Sequence, residues 1–375
     1  MGATGGLGQM RATGRRSRGG RAHYNPAPMP TDTAARPDPR LALLEHWLAQ
    51  DLKLVDSAVE PASADASFRR YFRVRTAGRT LIAMDAPPGR EDLGPFVGVA
   101  RALGALGVTV PEVLEQDRER GFLLMSDLGS MHYLAAFGAG ADVERLYHDA
   151  TEALLRIQAR GLEAAAALPP YDAAFLDREV QLFPEWFLGR HLDAVPDAAA
   201  RALIDRTSAR LAASALEQPQ VFVHRDYHSR NLMVLPAGNP GILDFQDAMR
   251  GALTYDLASL FKDCYVVWPR PRVLAWVGDY RRRALAAGVA VPGDEAEFVR
   301  WFDFVGLQRH LKVLGIFARL WYRDGKQSYL RDLPTVLDYV LGATGAYGEL
   351  AEFERFLRAV VVPRFAAAQA RALGA

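Results

Sequence analysis

His224-Arg225-Asp226-Tyr227-His228-Ser229-Arg230-Asn231, followed downstream by Leu243-Asp244-Phe245, decides how this chain is read. The spacing is His-x-Asp-x-x-x-x-Asn and then Asp-Phe. A carboxylate at Asp226 can accept the proton of an attacking hydroxyl, and the Asn231 amide and Asp244 carboxylate offer hard oxygens to a Mg²⁺ bound to the phosphates of ATP. Short apolar runs flank these groups: Val221-Phe222-Val223 before them, then Leu232-Met233-Val234-Leu235 and Gly241-Ile242-Leu243, broken by Pro236, Gly238 and Pro240. Such runs predict strands, so the reactive groups sit at strand ends and loops, with the second acid on a two-stranded hairpin.

A single Asp or His in a turn is ordinarily a turn or capping residue. Three groups in register between strands outweigh that reading. The alternative of a transition-metal cluster at His224, Asp226 and His228 would need further ligands. The remaining histidines (His23, His46, His132, His148, His191, His310) form no second cluster.

The motif has the spacing of eukaryotic-type kinases. With Leu243-Asp244-Phe245-Gln246-Asp247-Ala248 and Tyr255-Asp256-Leu257-Ala258 it resembles the aminoglycoside phosphotransferase-like kinases, whose His-x-Asp-x-His-x-x-Asn loop His228 also fits. From about Leu41 to Phe365 the chain is most similar to the bacterial amino-sugar branch, which phosphorylates N-acetylmuramate and N-acetylglucosamine at the anomeric hydroxyl. That similarity includes Asp65 to Phe72, Met84-Asp85-Ala86-Pro87-Pro88 and Gln308 to Gly315. The resemblance implies an α+β, bilobal protein-kinase-like fold with a small antiparallel-sheet N-lobe and a large, mainly helical C-lobe. It also implies use of ATP and Mg²⁺, and adenine read by the Ser126 carbonyl and the Leu128 N–H.

Residues 1–39 are rich in Gly, Ala and Arg, with no acid before Asp32 and no apolar signal core after the arginines, and read as a disordered tail from an over-extended start, outside catalysis. The N-lobe is expected over 40–128 and the C-lobe over 129–375. Half the residues are hydrophobic, yet no apolar stretch is long enough to span a bilayer, and a net charge of +1 gives no general reason to bind nucleic acid. Cys264 is alone, read as a buried residue of a helix over 260–267, so no intrachain disulfide can form and a reducing cytoplasm is the expected location. The expected partners are ATP and a small-molecule acceptor, with no obligate protein partner evident.

A helix over 40–48, strands at 68–74, 79–84 and 122–125, and a helix over 93–106 stopping at Gly107 give the element order of a kinase N-lobe. Two departures follow. The turn Ala66-Ser67-Phe68-Arg69-Arg70 contains no glycine to wrap phosphates, so backbone N–H groups, the Ser67 hydroxyl and Arg69, Arg70 or Arg73 are the expected replacements. Met84 stands where the phosphate-binding lysine is expected, and no lysine lies between Lys53 and Lys262. The following helix carries Phe96-Val97-Gly98-Val99-Ala100 where a partnering Glu would be. Loss of both members of an ion pair avoids an unpaired charge. Ile82 and Met125 are expected to wall the adenine, with the interlobe hinge at 122–129.

In the C-lobe, His224 and Asp256 read as structural supports of the catalytic loop. His228, Gln246, Asp247, Gln308, Lys312 and Trp321 are expected around the acceptor, where a cation and an aromatic plate suit a carboxylated sugar. A polycationic aminoglycoside would call for an acidic pocket, whereas the Gln308 to Arg323 segment is basic. Kinases of other small alcohols (aminoglycoside, choline, homoserine-like) and a nucleotide-binding pseudokinase or scaffold are the alternative readings.

Overall fold

The computed structural model describes residues 38–64 and 68–374; Ser67 and the tail up to residue 37 lie outside the described residues. Helix α1 (Pro39–His46) is capped by the Asp38 carboxylate, which accepts from the N–H groups of Arg40 and Leu41. Strands β1 (Ala58–Ala64), β2 (Arg70–Thr76) and β3 (Arg79–Asp85) precede helix α2 (Leu93–Ala105), and β4 (Val113–Asp117) and β5 (Phe122–Ser126) follow it. They form one antiparallel sheet in the order β1-β2-β3-β5-β4. Two of these strands, β1 and β4, do not appear in the sequence reading.

The two-residue period of the strands decides what each sheet face touches. Phe72, Val74, Leu81 and Ala83 point one way and join Leu44, Trp47 and Leu48 of the first helical segment in a small core. Ile82 and Met84 point the other way, and Met84 is fully buried in the large core with Phe96 and Val97 of α2. An apolar contact thus stands where a kinase of ordinary sequence has a lysine and its acid.

The rest is mainly helical: α3 (Tyr133–Gly138), α4 (Val143–Arg160), α5 (Leu162–Ala166), α6 (Ala173–Val180) and α7 (Ala198–Leu216), then α8 (Tyr255–Phe261), α9 (Arg270–Ala286), α10 (Glu295–Tyr322), α11 (Leu333–Ala346), α12 (Ala351–Phe356) and α13 (Val362–Leu373). Between α7 and α8 lie two short antiparallel pairs. β6 (Gln220–Val223) pairs with β9 (Met249–Ala252), and β7 (Leu232–Met233) with β8 (Gly241–Ile242). The expected hairpin is β7–β8. Cys264 is buried, but it lies beyond the end of α8 rather than inside a helix. No helix among the described residues is long and apolar enough to cross a membrane.

Helix α10 runs for 28 residues through the middle of this lobe and is buried along most of its length. At Gly315 it meets the chain so closely that a Cβ would lie 2.4 Å from the Leu182 carbonyl carbon. Its charged anchor is Asp303, almost wholly buried. Asp303 accepts from Lys262 Nζ at 2.6 Å, Arg270 Nη2 at 2.7 Å and the Tyr347 hydroxyl at 2.7 Å. Burial pushes its carboxyl up, but Lys262 and Arg270 outweigh that and hold it down at about 2.

Asp303→Ala leaves Lys262 buried beside an empty place, so the unfolding free energy in urea should drop by about 3–5 kcal/mol. Because the folded-state pKa lies below the unfolded one, the contribution of Asp303 is present above about pH 4 and disappears as pH falls toward 2. The variant should therefore lose the corresponding part of the wild-type acid dependence.

Candidate active site

The catalytic loop links β6 to β7 and is fixed mainly through its backbone. His224 is neutral, since burial pulls its imidazole down to about 4. Its Nδ1 accepts the Asp226 N–H at 3.2 Å, and Nε2–H donates to the Leu243 carbonyl at 2.9 Å. One ring thereby ties the loop bearing Asp226 to the segment bearing Asp244, and both nitrogens are engaged, which removes it as a metal ligand. Asn231 Nδ2 donates to the Asp226 carbonyl at 3.0 Å and reaches Asp244 Oδ2 at 3.4 Å. Arg225 and Asp244 adopt left-handed backbone, with φ of 77° and 61°. Non-glycine residues adopt that region at a cost of order 1–3 kcal/mol, retained where the surroundings over-determine the conformation.

Two buried acids support this loop. Asp256, in the first turn of α8, accepts the N–H groups of His224 at 2.7 Å and Arg225 at 3.0 Å. Burial pushes its carboxyl up to about 7, against the pull of those two N–H groups. Asp263, just past the end of α8, accepts from Ser229 N–H at 3.1 Å and from the Ser229 hydroxyl, and its other oxygen takes the Tyr265 N–H at 2.9 Å. Asp263 was not anticipated from sequence.

Around Asp226 the charge is positive. Burial pushes its carboxyl up, yet Lys312, His228, Arg309 and Arg225 together hold it below the usual carboxylate range. Asp226 is therefore held as the carboxylate at neutral pH. Glu179 of α6, also unanticipated, gathers part of this cluster. It accepts from Lys312 Nζ at 2.8 Å, from Arg225 Nη2 at 2.7 Å and from the Tyr171 hydroxyl.

A cavity of about 520 Å³ opens between the sheet and the catalytic loop. Ile82, Met125, Ser126 and Leu128 line it from the sheet and hinge, and Asn231, Asp244 and Phe245 from the loop side. Phe245 packs on Phe96 of α2 with ring centroids 4.8 Å apart. Gln246 Nε2 donates to Asp244 Oδ1 at 2.7 Å and approaches Asp247 Oδ2 at 3.4 Å. His228 meets the Tyr265 ring edge-on at 5.5 Å.

Other expected site residues are placed elsewhere. Arg70 bridges Asp38 and the fully buried Asp85, which also holds Arg40, so it fastens α1 to the sheet. Arg69 lies 3.6 Å from Glu91, and Phe68 is exposed beneath the Arg90 guanidinium; none of these three lines the cavity. Arg73 does line it, gripping Asp127 at 2.7 and 3.1 Å and the Gly129 carbonyl at 2.9 Å. Lys312 and Gln308 are buried and contact Glu179. Trp321 packs on the second helical core with Tyr322, near the far end of α10. The helical-face reading assumed an open face, but α10 is covered on most sides.

A sheet lobe and a helical lobe, with the Asn231 amide and the Asp244 carboxylate lining the cavity between them and Asp226 on the same loop as Asn231, have the form of a kinase-like phosphotransferase. The chain belongs to the phosphotransferase enzyme family, whose model matches residues 58–298. It is 48% identical over 319 residues to the N-acetylmuramate/N-acetylglucosamine kinase of Pseudomonas aeruginosa, covering 85% of this chain and 92% of that protein. It is 42% identical over 313 residues to the protein of the same name from Neisseria meningitidis, covering 82% and 92%. Among solved structures, an ADP-bound aminoglycoside phosphotransferase shares the fold with a TM-score of 0.53 at 12% identity, over 80% of this chain and 97% of that one. A Plasmodium vivax ethanolamine kinase does so with 0.56 at 10% identity, over 80% and 87%.

Asp256→Ala orphans two buried N–H groups at the start of the catalytic loop. Stability should fall by about 2–4 kcal/mol, and turnover should fall further than the loss of folded protein explains. Turnover per folded molecule equal to wild type would show that Asp256 supports the fold without positioning the loop.

Proposed function

We propose that the protein transfers the γ-phosphoryl group of ATP to the anomeric hydroxyl of N-acetylmuramate and N-acetylglucosamine, giving the sugar 1-phosphate, in cytoplasmic recycling of peptidoglycan. The observation that supports the reaction class is a cavity lined by the Asn231 amide and the Asp244 carboxylate, with an apolar wall of Ile82 and Met125, and the tie from that amide to the backbone carbonyl of Asp226. The acceptor is supported by the names of the relatives and by the cationic surroundings of Asp226, which suit a neutral or anionic acceptor and repel a polycationic one.

Asp226 accepts the proton of the anomeric hydroxyl while that oxygen forms its bond to the γ-phosphorus. The bond from phosphorus to the bridging oxygen breaks, and ADP leaves with the electron pair. Lys312, Arg309 and Arg225 keep the base ionised before the acceptor arrives. The Asn231 side-chain oxygen and the Asp244 carboxylate form the donor set a hard divalent cation requires, and would hold Mg²⁺, which offsets the phosphate charge. Ser126 and Leu128 are assigned to adenine through their main-chain groups, and His228, Gln246 and Asp247 to the acceptor.

Asp226→Asn should lower turnover about 10²-fold or more while Mg·ATP affinity stays close to wild type. A panel of acceptors completes the test: N-acetylmuramate and N-acetylglucosamine should be phosphorylated and their 1-O-methyl glycosides should be inert. Phosphate recovered on the 6-hydroxyl of a methyl glycoside would overturn the anomeric assignment.

A further inference from the structure

The nucleotide cavity lacks the lysine that a kinase fold ordinarily directs at the phosphates, and the structure accounts for the nearby cations one by one. Met84 is in the apolar core. Arg69 faces Glu91, Arg70 is held by Asp38 and Asp85, and Arg73 is bound in a two-pronged pair to Asp127 of the hinge. His132 lines the cavity, but its Nδ1 accepts the Ala135 N–H, and burial, with Arg230 adding to it, pulls the ring below its ordinary value.

Arg230 differs from all of these. It precedes Asn231 in the chain, lines the same cavity as Asp244, is exposed, and forms no ion pair among the described residues. Its guanidinium lies 3.5 Å from the centroid of the Tyr265 ring. That stack is held at both ends by one carboxylate, because Asp263 takes the N–H of Ser229, next to Arg230, and the N–H of Tyr265. A planar guanidinium fixed on an aromatic face, and not ion-paired among the described residues, has its N–H edge available for a phosphate.

We propose that Arg230 supplies the positive charge on the nucleotide polyphosphate that β3 does not, acting from the catalytic loop instead of from the sheet. The proposal rests on the ATP-dependent reading above. Its consequence is that phosphate binding, metal binding and the base all belong to one rigid segment, Asp226 to Asn231 with Asp244. The N-lobe is left with adenine recognition.

The test uses the full-length protein and titrates Mg·ADP and adenosine by calorimetry, without any sugar, so an error in the acceptor does not enter. Arg230→Ala should weaken Mg·ADP at least tenfold, leave adenosine within about twofold, and leave the melting temperature near wild type, since the side chain is exposed. Arg230→Lys should recover part of the loss. In turnover, KM for ATP should rise or kcat fall, with KM for both sugars little changed. Equal Mg·ADP affinity in Arg230→Ala and wild type would overturn the proposal, as would a defect confined to KM for N-acetylmuramate, which would make Arg230 a ligand of the acceptor carboxylate. A wild-type protein that binds neither Mg·ADP nor Mg·ATP would remove the ATP reading as well. Binding without phosphorylation of either sugar would count against the acceptor alone.

Discussion

Asp256 and Asp263 stand at the two ends of one seven-residue helix, and between them they fix the backbone of the loop that carries Asp226. Each carboxylate accepts hydrogen bonds from two loop groups, so a loop of irregular conformation has its buried N–H donors satisfied. Everything reactive is then referred to this support. His224 carries the constraint across to Leu243, the left-handed residue Asp244 follows, and Asn231 is tied back to the Asp226 carbonyl. Arginine pairs on the sheet and the long α10 helix are scaffolding for that arrangement.

Electrostatics adds a second layer. Burying Asp226 would by itself favour its neutral form, which is useless as a base. The protein counters with cations, and then restrains the cations with Glu179, whose own charge is held by Lys312 and Arg225. Partly compensated charge of this kind keeps an ionised carboxylate available without an unpaired ammonium in the core. It also explains why Lys312 and Gln308 lie buried against Glu179.

The family and the kinase-like fold were legible because the residue types and spacing of the 224–231 and 243–245 segments are dictated by chemistry. Asp226, Asn231, Asp244 and the apolar pair Ile82 and Met125 lie in short local patterns, and the strands β2, β3 and β5 show as short apolar or β-branched runs bounded by turn residues. Strands β1 and β4 were not legible: Ala-Val-Glu-Pro-Ala-Ser-Ala has no apolar alternation and carries a proline, tolerated on the edge strand that β1 is. Glu179, Asp263 and Arg230 were missed because their partners lie far away in sequence or on another loop, and pairing across a fold leaves no periodic trace. For α10 a signal existed. Phe298, Trp301, Phe302, Phe304, Val305, Leu307 and Leu311 surround the helix axis, which marks a buried helix, and charged residues on it should have been read as internally paired.

The central claim is that the anomeric oxygen of an amino sugar, with Asp226 accepting its proton, attacks ATP directly. Phosphorus NMR of the product made from N-acetylmuramate labelled with ¹⁸O at carbon 1 tests this in one experiment. The account predicts a sugar 1-phosphate whose phosphorus resonance shows the isotope shift of ¹⁸O in the bridging position. An unshifted resonance, or phosphate attached to any other hydroxyl, would contradict it.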